Sequence, residues 1–101
     1  MSNDKILSYL GLCRKAGKLV CGTDQATDAI RHNKAVLALT ASDASDNTKK
    51  RIGDACRYRG IDCAELPFTC QQAGAAVGKS GGIASYAITD PNFADMIKKL
   101  L

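Results

Sequence analysis

The stretch Lys34-Ala35-Val36-Leu37-Ala38-Leu39-Thr40 decides how this chain must fold. One basic residue leads into an unbroken apolar run of strand length with no polar alternation, so both faces of the strand have to be covered. That places it at the centre of a sheet with helices above and below, and the flanking sequence supplies the helices. Upstream, Gly22-Thr23 opens a helix with the Thr23 hydroxyl as N-cap and Ala26, Ala29 and Ile30 facing inward. Before it come a short strand from Leu19 to Cys21 and a first helix from about Asn3 to Lys15. That helix aligns Ile6, Leu10 and Cys13 on one face and ends at Gly17.

Downstream, Ser45 caps a third helix in which Thr48, Ile52, Ala55 and Cys56 recur at helical spacing. Lys49, Lys50, Arg51, Asp54 and Arg57 are left in solvent until Gly60 ends it. Ile61 to Leu66 supplies a third strand, stopped by Pro67. Thr69 and Gln72 form a capping box for a short helix ending at Gly78, because the hydroxyl accepts from the backbone while the amide reaches back. Lys79-Ser80-Gly81-Gly82 is a flexible loop within the domain, and Ile83 to Ile88 is the last strand. Asp90-Pro91 starts a final helix with a buried stripe of Phe93, Met96, Ile97 and Leu100. Alternation throughout predicts an α/β chain: a single-domain three-layer α-β-α sandwich with a four-stranded mixed sheet, one domain over 1–101.

Composition agrees with one domain, since 101 residues with 46% hydrophobic side chains bury one core and no second. The longest apolar stretch, Ala35 to Leu39, is far below the roughly 20 residues that cross a bilayer, and the first residues are polar. Neither a membrane span nor a secretory signal is expected, and the expected location is the cytoplasm. The five cysteines, Cys13, Cys21, Cys56, Cys63 and Cys70, form no C-x-x-C pair, and His32 is the single histidine, which argues against zinc or any other metal. Each lies in or beside an apolar run, where a free thiol behaves as a small buried hydrophobe.

Catalytic machinery is not evident. His32 follows Arg31 near a helix C-terminus, where a solvated imidazole suffices, and no motif pairs a hydroxyl with a base. Gly78-Lys79-Ser80 resembles the end of a phosphate-binding loop, but Ala73 stands where the first glycine belongs and a strand follows where a helix is required. No enzyme, catalytic residue or cofactor is therefore expected.

Fourteen Lys and Arg against ten Asp and Glu give a net charge of +4, which permits an anionic partner. The turn Gly22-Thr23-Asp24-Gln25 offers it a place. Glycine lets a backbone approach closely, the helix start presents unpaired amides, and Gln25 can donate and accept toward a base edge. Lys18, Lys34 and Lys79 are candidates to reach phosphates nearby, and Lys49, Lys50, Arg51, Arg57 and Arg59 are candidates for a second basic surface.

These residues resemble the kink-turn RNA-binding ribosomal-protein superfamily of the L-seven-Ae and L-thirty-e type. The likeness runs through Gly17-Lys18, Val20, Gly22, Gln25, Ile30-Arg31, Lys34-Ala35 and Leu37, then Gly74, Ala76, Gly78-Lys79, Ala87-Ile88 and Asp90-Pro91. Ala16-Gly17-Lys18-Leu19-Val20 and Ala41-Ser42-Asp43-Ala44-Ser45 are similar to small bacterial homologues of the L-thirty-e branch. The resemblance implies docking on a sharply bent RNA with tandem sheared G·A pairs. The implied contacts are Gly22, Thr23, Asp24, Gln25 and Asp28 at the second helix and Lys79, Ser80, Gly81, Gly82 and Ile83 before the last strand. The implied partner is structured RNA, ribosomal RNA included, alongside ribosomal or other proteins.

Two positions depart from the family pattern: Asp24 replaces Asn or Lys, and Asp28 replaces Lys. Charges about 8 Å apart interact by roughly 0.5 kcal/mol in water and about 2 kcal/mol at intermediate dielectric, so each swap is expected to cost about 1 to 4 kcal/mol of RNA affinity. Asp24 is expected to complement the helix dipole and Asp28 to pair with Arg31. The competing expectation is a protein-interaction module that keeps the fold and has lost the RNA site.

Overall fold

The computed structural model describes residues 2–79 and 81–101. Its elements run α1 (Ser2–Lys15), β1 (Leu19–Cys21), α2 (Thr23–Arg31), β2 (Leu37–Thr40), α3 (Asp46–Arg59), β3 (Asp62–Glu65), α4 (Cys70–Ala76), β4 (Ser85–Ile88) and α5 (Pro91–Leu100). The strands form a mixed sheet in the order β1-β4-β2-β3. Antiparallel pairing joins β1 to β4 and β4 to β2, whereas β2 and β3 run parallel.

Alternation along the two central strands sorts the core into two layers. Leu37, Leu39, Tyr86 and Ile88 point toward α1, α4 and α5, where they meet Ile6, Leu10, Val77 and Ile97. Ala38 and Ala87 point the other way, toward Ala26, Ile30, Ile52 and Cys56 of α2 and α3. Small side chains on that second face let α2 and α3 lie close to the sheet. Every residue of β2 and β4 is buried, as the apolar run of β2 requires.

Local capping sets the element boundaries. The Ser45 hydroxyl accepts from the Thr48 amide at 3.1 Å, and Gly60 closes α3 in the left-handed conformation. Thr69 and Gln72 make both bonds of the capping box, at 3.2 and 2.9 Å, and the Asp90 carboxylate accepts from the Asn92 amide at 2.8 Å. The Asp43 carboxylate accepts from the Cys70 amide at 2.7 Å, and Cys70 holds that carboxyl below its ordinary range.

Several expectations about packing need correction. Met96 is exposed, and the buried stripe of α5 is Ala94 and Ile97 with Phe93 and Leu100 half-buried, because the face turned to the sheet is narrower than the apolar pattern. Lys49 is only half-exposed, since its ammonium bonds the Ser42 carbonyl at 3.1 Å and Glu65 at 2.9 Å. The third strand is shorter than Ile61 to Leu66, and its position at the sheet edge leaves Cys63 exposed rather than buried. Cys13 and Cys56 are buried, while Cys21 and Cys70 are half-buried. Burial pushes the Cys13 thiol up to about 12. The neighbouring Cys56 thiol pulls Cys63 below the usual thiol value.

No helix among the described residues is long and apolar enough to cross a membrane. The described residues also contain no cluster of three or more metal-ligating side chains.

The tightest backbone approach is at α4. A Cβ placed on Gly74 would lie 2.7 Å from the Gly82 Cα and 2.9 Å from the Lys79 carbonyl oxygen. Exposed helix interiors gain about 0.5 to 1 kcal/mol when glycine becomes alanine. Here Gly74→Ala is expected to destabilise the protein by about 1 to 3 kcal/mol in urea unfolding, because backbone has to move. A neutral or stabilised variant contradicts this packing.

Candidate nucleic-acid interface

At the end of β1 the chain turns through Gly22 with φ +107 and ψ 148, a conformation essentially confined to glycine. A Cβ there would fall 2.4 Å from the Gln25 Oε1, so the bare backbone also lets the Gln25 amide lie over the turn. The Gly22 amide donates to the Ser85 carbonyl at 2.9 Å, and the hydroxyls of Thr23 and Ser85 share a hydrogen bond of 3.0 Å. The Thr27 hydroxyl donates to the Thr23 carbonyl at 2.7 Å.

Gly22, not Thr23, is therefore the N-cap of α2. The positive φ of Gly22 completes the turn one residue early, which carries Thr23 into the helix and aims its hydroxyl at β4. No side-chain cap occupies the helix start, so the first-turn amides keep their partial positive charge.

The loop before β4 leads into the strand that holds this turn. The Ile83 amide donates to the Cys70 carbonyl at 3.1 Å and the Ala41 amide to the Ala84 carbonyl at 2.8 Å. Gly82, at φ +80, lies against the Cys70 backbone. Gly81 is exposed, and Gly82 and Ile83 are half-buried. Ser80 lies outside the described residues. Two residues beyond Ile83 comes Ser85, the anchor of Gly22 and Thr23, so the two segments share one end of the sheet. Lys79 is exposed, and with Arg14 its charge acts on the Cys21 thiol, which burial pushes up.

The remaining basic candidates divide. Lys18 and Lys34 stand at the opposite ends of their strands, where the Lys18 carbonyl accepts from the Thr89 amide at 2.9 Å. Lys34 nevertheless joins Gln25 in lining a shallow cleft of about 280 Å³ along α2, together with Val20, Asp28 and His32. Lys18 takes no part in it.

The two unexpected acids differ in their surroundings. Asp24 pairs with Arg51 of α3 at 2.8 Å, which offsets its charge. The expected pair between Asp28 and Arg31 does not form, and among the described residues no cation lies within 4 Å of the Asp28 carboxylate. Instead the Arg31 carbonyl accepts from the Arg59 guanidinium, and the Asp28 carbonyl accepts from His32 Nδ1 at 2.7 Å.

Sequence reasoning missed Arg51 in this role because twenty-seven positions separate it from Asp24 and no local spacing links them. It also missed Arg14, whose guanidinium donates to the Val77 carbonyl at 2.8 Å and braces the chain leading to Lys79. Two basic residues in the last turn of α1 were the available signal.

The model of the ribosomal protein L7Ae/L30e/S12e/Gadd45 family matches residues 4–98. The chain belongs to this family. Among curated relatives it is 34% identical over 100 residues to the RNA-binding protein YlxQ of Enterococcus faecium, covering 99% of this chain and 94% of that one. It is 35% identical over 104 residues to the RNA-binding protein YlxQ of Bacillus subtilis (strain 168), covering 100% and 99%. Among solved structures, a protein of unknown function from Bacillus halodurans aligns with a TM-score of 0.89 and 30% identity over 95% of both chains. A Giardia lamblia 15.5kD RNA binding protein shares the fold, with a TM-score of 0.78 at 16% identity over 98% of this chain and 83% of that one.

Because Gly22 combines a glycine-only φ with the seat of the Gln25 amide, Gly22→Ala is expected to lower stability by about 1 to 3 kcal/mol. It should also shift the Gln25 side-chain amide resonances in a nitrogen–proton correlation spectrum. A variant of unchanged stability with an unmoved Gln25 amide contradicts this description of the turn.

Proposed function

We propose that this family member is a non-catalytic, cytoplasmic RNA-binding protein acting as a single domain over 1–101. Its target in this reading is structured RNA of the kink-turn kind, ribosomal RNA included. One observation carries the reading: Ser85 ties the uncapped, amide-rich start of α2 to the segment that follows the glycine loop. Two stretches distant in sequence are thereby held at one end of the sheet. The names of the curated relatives support the same class of ligand.

In this proposal Gln25 reads a base edge, while the amides following Gly22 and Thr23 contact the RNA backbone. Ile83 with Gly81 and Gly82 packs on an extruded nucleotide. Lys79 and Lys34 neutralise phosphates, with Lys18 contributing only where the RNA extends past the far end of β1. Asp24 loses most of its repulsion to Arg51. Asp28 keeps its own and weakens the site relative to a lysine at that position. The competing interaction-module reading drew on both acids, and only Asp28 still favours it.

Filter binding with a kink-turn RNA tests the assignment. Gln25→Ala is expected to weaken binding by about 5-fold or more, since a buried partner loses its hydrogen bond, whereas Lys98→Ala on α5 stays within about 2-fold. Arg51→Ala should also weaken binding, and adding Asp24→Asn should restore it. Equal effects of Gln25→Ala and Lys98→Ala, or no salt-dependent complex at all, contradict the proposal.

A further inference from the structure

Helices α2 and α3 lie side by side on one face of the sheet, and their outer surfaces enclose a cleft of about 500 Å³. It is lined by Arg31, Arg51, Asp54, Ala55, Tyr58 and Arg59. Tyr58 is 84% exposed, the most exposed large hydrophobic side chain among the described residues, and no packing requirement explains a ring held in solvent. The Arg59 guanidinium stands over that ring at 5.4 Å from its centroid.

Two of the four charged residues lining the cleft are paired. Arg51 is paired with Asp24 at 2.8 Å, and Asp54 with Arg57 at 3.3 Å. Arg31 and Arg59 have no carboxylate within 4 Å among the described residues. What remains is an accessible aromatic face beside two uncompensated guanidiniums. Planar guanidinium suits phosphate oxygens, and an open aromatic ring suits a nucleobase of any identity. An acidic peptide would answer the arginines and leave the ring unused.

Arg51 links the cleft to the turn at Gly22. Arg51 bonds Asp24 inside that turn, and from Asp24 to Arg31 the helix advances only about 10 Å. We propose that this cleft is a second RNA contact that takes an unpaired nucleotide strand leaving the Gly22 turn. A base of that strand stacks on Tyr58, and its phosphates meet Arg31 and Arg59. The inference rests on the RNA-binding reading of the turn and adds single-stranded flanks to the substrate.

The test measures wild-type binding to a kink-turn RNA with and without a single-stranded tail of twelve uridines, and to the free twelve-nucleotide oligouridylate. The tail is expected to tighten binding by about 5-fold or more, the gain of one stacked base. Tyr58→Ala and Arg59→Ala should each abolish that gain while leaving the untailed affinity within about 2-fold, and Tyr58→Phe should keep it. Both alanine changes are at exposed positions, so the fold is retained.

A tail that adds nothing to the wild-type protein, or a gain that survives both alanine variants, overturns the proposal. So does a twelve-residue oligoglutamate that binds with the same dependence on Tyr58. Should the untailed RNA fail to bind while oligouridylate binds through Tyr58, the cleft stands and the reading of the Gly22 turn fails.

Discussion

The tie between Gly22-Thr23 and Ser85 is the constraint on which the proposed interface depends. Two hydrogen bonds, from the Gly22 amide to the Ser85 carbonyl and between the Thr23 and Ser85 hydroxyls, fasten the start of α2 to the start of β4. Because β4 is wholly buried and paired on both edges, the helix start inherits the rigidity of the core. With glycine at the N-cap, the helix has no side-chain cap. Its first-turn amides are thus available to a ligand.

Electrostatics around that start is set by α3. An aspartate beside the amides proposed to meet phosphate would oppose binding, yet Arg51 reaches across and pairs with it. The pair is solvent-exposed and contributes little to stability by itself. Its consequence is local: Arg51 offsets the Asp24 carboxylate, whereas among the described residues no cation lies within 4 Å of the Asp28 carboxylate. The same packing of α2 on α3 creates the arginine cleft with Tyr58, so one helix pair links both surfaces.

What was legible in the sequence was what local chemistry determines. Ser45, the Thr69 and Gln72 pair, and Asp90 cap their helices through atoms within three residues of themselves, and the run into Leu37-Ala38-Leu39 can only be a covered strand. The remainder depended on partners far along the chain. The Thr23 hydroxyl is consistent with an N-cap until Ser85 is known to lie beside it. Likewise Asp24 reads as a bare charge until Arg51 arrives, and Cys63 reads as buried until β3 proves to be an edge strand. Of the basic candidates, Lys34 lines the cleft with Gln25, whereas Lys18 stands apart from it, at the other end of β1 from Gly22.

The most direct examination of this account is a nitrogen–proton correlation titration of the full chain with an unlabelled kink-turn RNA. The account predicts that the amides of Gly22 to Gln25 and of Gly81 to Ile83 shift together with one midpoint, while those of Lys98 to Leu101 stay in place. Shifts confined to α1 and α5, or two segments that respond with separate midpoints, would contradict it.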